Sequence, residues 1–189
     1  MRPMGALGQI VPSPHGLRQP VPFVAHGKNR VDESQIAGSI AFGKVDGMSE
    51  LDQQMAADVT AKFHAIPITK TLDMTLHSLA GGEATISMRH AREYHGIFDS
   101  LHGGLLMTLA DTCACVAILT KTGPDAVITT TDMNIRFLAP CLTDATAEAK
   151  IIKFGRSLVP VNVTLRDANG REVALAQVTY MRLGKMPSR

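Results

Sequence analysis

DSLHGGLLMTLADTCACVAILT, residues 99 to 120, carries apolar or small side chains at almost every position between His102 and Lys121, with Asp111 in the middle. A segment that is apolar on all sides reads as a helix buried on all sides. An ionised carboxylate inside it costs several kcal/mol unless it finds partners. The run predicts a helix over about 103 to 121, stopped by Gly123 and Pro124.

Outward from this helix the chain alternates between two other patterns. Upstream, SELDQQMAADVTAKF follows Met48 with helical spacing, so a helix is expected at about 49 to 64 with Ser49 as its N-cap. After Pro67, TKTLDMTLHSL and EATISMRH read as two strands joined by the turn signal AGG. A loop, AREYHGIFDS, leads into the apolar helix. Downstream, AVITTTDMNIRFL, DATAEAKIIKF, LVPVNVTLRD and EVALAQVTYMRL read as four more strands, with DANG turning the last pair and Pro160 implying an edge or a bulge. The expected class is α+β, one long buried helix against an antiparallel sheet.

Composition bounds the rest. A chain of 189 residues with 45% hydrophobic content fits one domain with a real core. Residues 1 to 22 hold five of the ten prolines without helical or strand periodicity, so residues 1–47 read as a flexible Pro/Gly-containing arm and 48–185 as the domain. The net charge of +2 and the scattered Lys and Arg give no nucleic-acid footprint. Cys113, Cys115 and Cys141 form no CxxC pair, which favours a reducing, cytoplasmic setting. No apolar run is expected to reach membrane-span length, since Asp111 and the preceding glycines interrupt the longest one, so no membrane insertion is expected.

HGGLLMTLAD, followed by TTTDMNIRFLAP and later by GRS, resembles the hotdog-fold acyl-CoA thioesterases of the phenylacetate-pathway (PaaI-like) type. The resemblance covers about residues 49 to 183. It implies a sheet wrapped around the central helix, pairing with a second subunit as a dimer or dimer of dimers, and active sites at the shared interface. An acyl-CoA is the implied substrate, so coenzyme A enters as part of the substrate. No separate cofactor and no metal are expected.

Gly103 and Gly104 open the helix, where free N–H groups and the positive dipole end make an anion site. Without a Cβ, a glycine lets a thioester carbonyl approach its N–H, and the resemblance assigns Gly103 as the oxyanion donor. His102 is a candidate for the same chemistry, or for ordering the loop by hydrogen bonding. Asp111 lies too deep to cap the helix, and no Lys or Arg stands four positions either side. The resemblance makes it the catalytic acid, acting as general base or nucleophile across a subunit interface, and carries Thr130 over as a hydroxyl that orients water.

Many relatives carry Asn or Gln where this chain has Gly96, so His95, Tyr94 or Asp99 is expected to substitute. Cys115, where some relatives use a hydroxyl, reads as a packed core residue. Lys153, Arg156 and Ser157 surround a glycine in KIIKFGRSL, a place for coenzyme A phosphates, with Arg136 and Arg166 as further candidates. Leu105, Leu106, Met107, Phe98, Ile97 and Ala114 are expected to line an apolar acyl pocket. Two other functions compete. One is a noncatalytic acyl-CoA binding or sensing module, which Gly96 favours. The other is a hotdog hydratase or dehydratase, disfavoured because Val116 stands where its His would be.

Overall fold

The computed structural model describes residues 51–183; Ser49 and the arm over 1–47 lie outside that span. The first helix is capped by Asp52, whose carboxylate accepts the N–H of Gln54 at 3.0 Å. This helix, α1 (Gln53–Ala65), buries Ala56, Val59 and Phe63 along one face. Pro67 then opens a short helix, α2 (Pro67–Thr71), where a strand was expected. Proline suits the first helical position, and the Thr69 hydroxyl donates back to the carbonyls of Phe63 and Ile66, which favours a turn over a strand. The first strand, β1 (Met74–Ala80), therefore starts five residues later than TKTLDMTLHSL suggests.

Ala80 pairs with Glu83, so Gly81 and Gly82 make the turn into β2 (Glu83–Met88), with Gly82 at φ +94°. A single 3-10 turn at Arg92–Tyr94 precedes the long helix, α3 (Gly103–Thr122). Gly123 stops it at φ +90°, as expected. The remaining strands are β3 (Ile128–Phe137), β4 (Ala145–Ile151), β5 (Leu158–Asp167) and β6 (Glu172–Arg182). All pairs are antiparallel, in the order β1-β2-β4-β5-β6-β3.

Pro160 is not on an edge strand. It lies in β5 between β4 and β6, one residue past the last β4 pair, Ile151 with Val161. Its carbonyl takes the N–H of Ile152, so its nitrogen faces the place where β4 has ended and no ladder bond is lost.

Strict alternation brings one face of the sheet onto α3. Val159, Val161, Val163 and Leu165 of β5 are buried, as are Ala145, Ala147 and Ala149 of β4. The small β4 residues meet small helix residues, and Cys113 Sγ reaches the carbonyls of Ala84 and Ala147 at 3.3 Å. The helix thus lies close on the sheet, with no room for larger side chains.

Two expectations about α3 need correction. By length and composition its 20 residues are apolar enough to cross a membrane, although most of that length is buried against the chain's own strands. Nor is it buried on all sides. Gly104, Met107, Thr108, Asp111 and Cys115, spaced three and four apart, form a stripe that the sheet leaves partly open.

Candidate active site

Asp111 sits on this open stripe, half-buried, and its partners come from the two strands nearest the sheet edge. The Thr130 hydroxyl on β3 donates to Asp111 Oδ1 at 2.8 Å, and the Tyr180 hydroxyl on β6 donates to the same oxygen at 2.8 Å. Tyr180 OH also lies 3.0 Å from the Asp111 backbone carbonyl. Among the described residues nothing bonds Oδ2.

Thr130 and Tyr180 are direct cross-strand partners. Phe137, Ile135 and Met133 face the helix opposite Ala174, Ala176 and Val178, and strict alternation would next turn Thr131 inward. A register shift between Thr130 and Asp132 breaks the parity and turns Thr130 inward instead. Thr131 bonds the Thr179 carbonyl in the strand.

The surroundings are low in polarity. Burial, reinforced by the nearby Cys115 and Asp111, pushes the Tyr180 phenol far above its ordinary range, so it is a neutral donor. Burial first and the Asp111 charge second push the Cys115 thiol up to about 11. Cys115 is therefore a thiol at neutral pH, packed beside the carboxylate.

At the start of α3, His102 is the N-cap, and its Nδ1 accepts the N–H of Gly104 at 2.9 Å. That bond engages both the ring nitrogen and the Gly104 donor. The Gly103 N–H has no acceptor among the described residues. Both glycines also make room: a Cβ on Gly104 would stand 3.0 Å from His102 Nδ1, and one on Gly103 would stand 3.0 Å from the Phe137 ring. Gly103 borders an open cavity of about 370 Å³ lined by Leu101, Leu106, Phe137, Leu138, Pro140 and neighbouring residues.

Of the residues expected to line an acyl pocket, Leu106 borders this cavity. Ala114 is sealed in the core, while Ile97 and Phe98 are 97% and 77% exposed. Phe137, at the end of β3, was missed; its aromatic-aliphatic run Phe137-Leu138 before Pro140 was the available signal.

The loop before the helix brings Gly96 against His102; a Cβ on Gly96 would stand 3.6 Å from the ring, so there is ordinary room for a side chain. Of the three residues expected to substitute for the missing amide, Tyr94 spends its hydroxyl on the Thr71 carbonyl at 2.7 Å and Asp99 is fully exposed. His95 is mostly buried, lies tilted against His90 with ring centroids 4.5 Å apart and keeps Nε2 without a partner among the described residues; its Nδ1 lies 3.7 Å from Asp99.

Lys153, Arg156 and Ser157 lie exposed in the connection between β4 and β5. Gly155 is required there, because a Cβ would collide with the Leu158 carbonyl. Arg182, missed in the sequence, joins the group: it stacks over Phe154 at 4.8 Å and donates to the Gly155 carbonyl at 3.3 Å. Arg166 does not. It lies at the opposite end of β5, tied to Glu148 and Glu172. Arg136 is exposed on β3. No group of three or more metal-ligating side chains occurs among the described residues.

A six-stranded antiparallel sheet folded over one long helix, with paired glycines at the helix start and an acid eight residues on, defines a hotdog thioesterase. The thioesterase superfamily model matches residues 98–174. Human acyl-coenzyme A thioesterase 13 is 30% identical over 137 residues, covering 70% of this chain and 96% of that protein. The chain belongs to the thioesterase superfamily, and its class of activity is thioester hydrolysis. The 1,4-dihydroxy-2-naphthoyl-CoA hydrolase of Listeria monocytogenes is 25% identical over 115 residues, 59% of this chain and 92% of that one. Among solved structures, the PaaI protein of the E. coli phenylacetic acid degradation operon shares the fold with a TM-score of 0.66 at 23% identity, covering 71% of this chain and 97% of that one.

Proposed function

We propose that this protein hydrolyses medium-chain or aryl acyl-CoA thioesters to free acid and coenzyme A. The observation that carries the reading is the Asp111 carboxylate, held at Oδ1 and without a partner at Oδ2 among the described residues, on a helix stripe that its own sheet leaves partly open. In the proposed mechanism the Gly103 N–H stabilises the oxyanion, and Asp111 activates water as general base or attacks the thioester as nucleophile. His102 acts by fixing the helix start.

Eight residues of helix put Gly103 and Asp111 about 12 Å apart along the axis, so one carbonyl carbon cannot meet both in one chain. This supports a site assembled from two copies, with Gly103 from one and Asp111 from the other. The cavity beside Gly103, bordered by the apolar side chains of Leu106, Phe137 and Leu138, suits an uncharged acyl group. The cations Lys153, Arg156 and Arg182 with Ser157 suit the phosphates of coenzyme A.

The test is thiol release from acyl-CoAs running from acetyl to decanoyl, with phenylacetyl and malonyl included. The expected specificity constant climbs roughly threefold to fourfold per methylene, the rate equivalent of about 0.8 kcal/mol, until the cavity fills. Asp111→Asn is expected to lower turnover on the order of a hundredfold or more with little change in melting temperature. Wild-type rates in the folded variant would remove Asp111 from the mechanism, and a preference for malonyl would remove the apolar pocket.

Gly96 favours a second reading, a noncatalytic acyl-CoA binding module. Under it, long acyl-CoAs bind tightly without cleavage, and Gly96→Asn, for which there is space, confers turnover.

A further inference from the structure

We propose that Tyr180 is a positioning residue for Asp111: with Thr130 it holds Oδ1 from the sheet side, fixes the plane of the carboxylate and leaves Oδ2 as the oxygen that does the chemistry. The inference rests on the hydrolase reading above and adds a residue to it. A carboxylate oxygen has two in-plane lone pairs, and two hydroxyls at 2.8 Å occupy both. An Asp side chain bonded in this way cannot spin about its terminal torsion without breaking both charge-assisted bonds.

The two donors are rigid in different ways. Tyr180 is 4% exposed on a strand inside the sheet, so its ring has nowhere to go. Thr130 reaches the carboxylate only through the register shift that turns it inward. A buried tyrosine needs some acceptor, and the Asp111 carbonyl at 3.0 Å would satisfy it; the shorter bond to the charged oxygen is the one that orders the carboxylate. Burial keeps the phenol protonated, so this donor stays in place across the pH range in which a hydrolase works. The titratable neighbours of the group are Cys115, one turn along α3, and Tyr180 itself, with Lys62 of α1 acting on Cys115.

Tyr180→Phe keeps the ring and removes only the hydroxyl. It is expected to lower kcat about tenfold or more while KM stays within about twofold, because the loss falls on the transition state. Thr130→Val is expected to act in the same direction, and the double variant to lose less than the product of the single losses.

A second readout needs no turnover. The 13C carboxyl resonance of Asp111, assigned by its disappearance in Asp111→Asn, is expected to shift in Tyr180→Phe at neutral pH. An unshifted resonance, or a folded Tyr180→Phe with wild-type kcat, overturns the positioning role. Failure of the hydrolase reading shows differently: the wild-type protein then releases no thiol, and the resonance alone decides whether Tyr180 orders the carboxylate.

Discussion

Gly103 has two properties that one pair of substitutions separates, its N–H and its lack of a Cβ. As the first helical residue it follows His102, whose extended backbone at φ −61° and ψ 131° is the conformation a following proline demands. Gly103→Pro is therefore compatible with the helix start, and it deletes the N–H while adding a Cβ. Gly103→Ala keeps the N–H and adds the same Cβ, which presses on the half-exposed Phe137 ring. If the N–H is the oxyanion donor, the proline variant is expected to lose on the order of a hundredfold or more in kcat and the alanine variant far less. Equal losses, measured beside circular dichroism of the folded proteins, would make crowding the cause. Single residues differed in how readable they were. Asp111 was legible because a charge in an apolar helix must have partners. Its partners were not: TTTD offers three threonines in a row, and only the register shift decides that Thr130 faces inward. Tyr180, far along the chain in an unremarkable strand, gave no signal at all.

Helix α3 shows what apolar patterning can and cannot report. Its extent and its glycine stop were readable from the run itself, and β5 was readable from alternating Val and Leu. The open stripe was hidden, because Thr108, Asp111 and Cys115 are too few to mark a face on so apolar a helix. Strand ends were misjudged where local chemistry overrode propensity: Pro67 turned Thr-Lys-Thr into a helix, and Gly155 belongs to a tight connection that ends β4 at Ile151. The two cysteines of α3 carry their own prediction. Burial pushes the Cys113 thiol up to about 12 and Cys115 up to about 11, from an ordinary value of 9.0. The fold therefore favours the protonated thiols. Their contribution to stability is complete below the unfolded-state pKa near 9 and is lost as pH rises toward 11 and 12, because the unfolded chain sheds protons that the folded chain keeps. The urea midpoint is expected to fall steadily above pH about 9. Cys113→Ala is expected to start from a lower midpoint and to show a shallower alkaline decline; an unchanged slope would mean that this thiol titrates normally.

At the scale of the whole molecule, the uncovered stripe of α3, the edge strand β3 and the distance between Gly103 and Asp111 point to one arrangement. A single chain leaves β3 exposed along most of its length and holds Gly103 and Asp111 about 12 Å apart along the helix axis. Under the proposed mechanism, a second copy related by a two-fold axis would cover the same surface on both chains and bring each Asp111 to the other Gly103. Sedimentation is expected to give a dimer or a dimer of dimers at micromolar concentration. The sharper test is complementation, using Asp111→Asn and Gly103→Pro, each expected to be inactive alone. After unfolding and refolding the two as an equal mixture, about half the dimers are mixed. If each site draws Gly103 from one chain and Asp111 from the other, a mixed dimer holds one intact site and one with both defects, so activity is expected to return to about a quarter of wild type. If each site lies within one chain, both chains of the mixed dimer are defective and the mixture stays inactive. A dead mixture in which mixed dimers are demonstrated by mass spectrometry would return the site to a single chain and require Gly103 and Asp111 of one helix to meet the substrate by some other route.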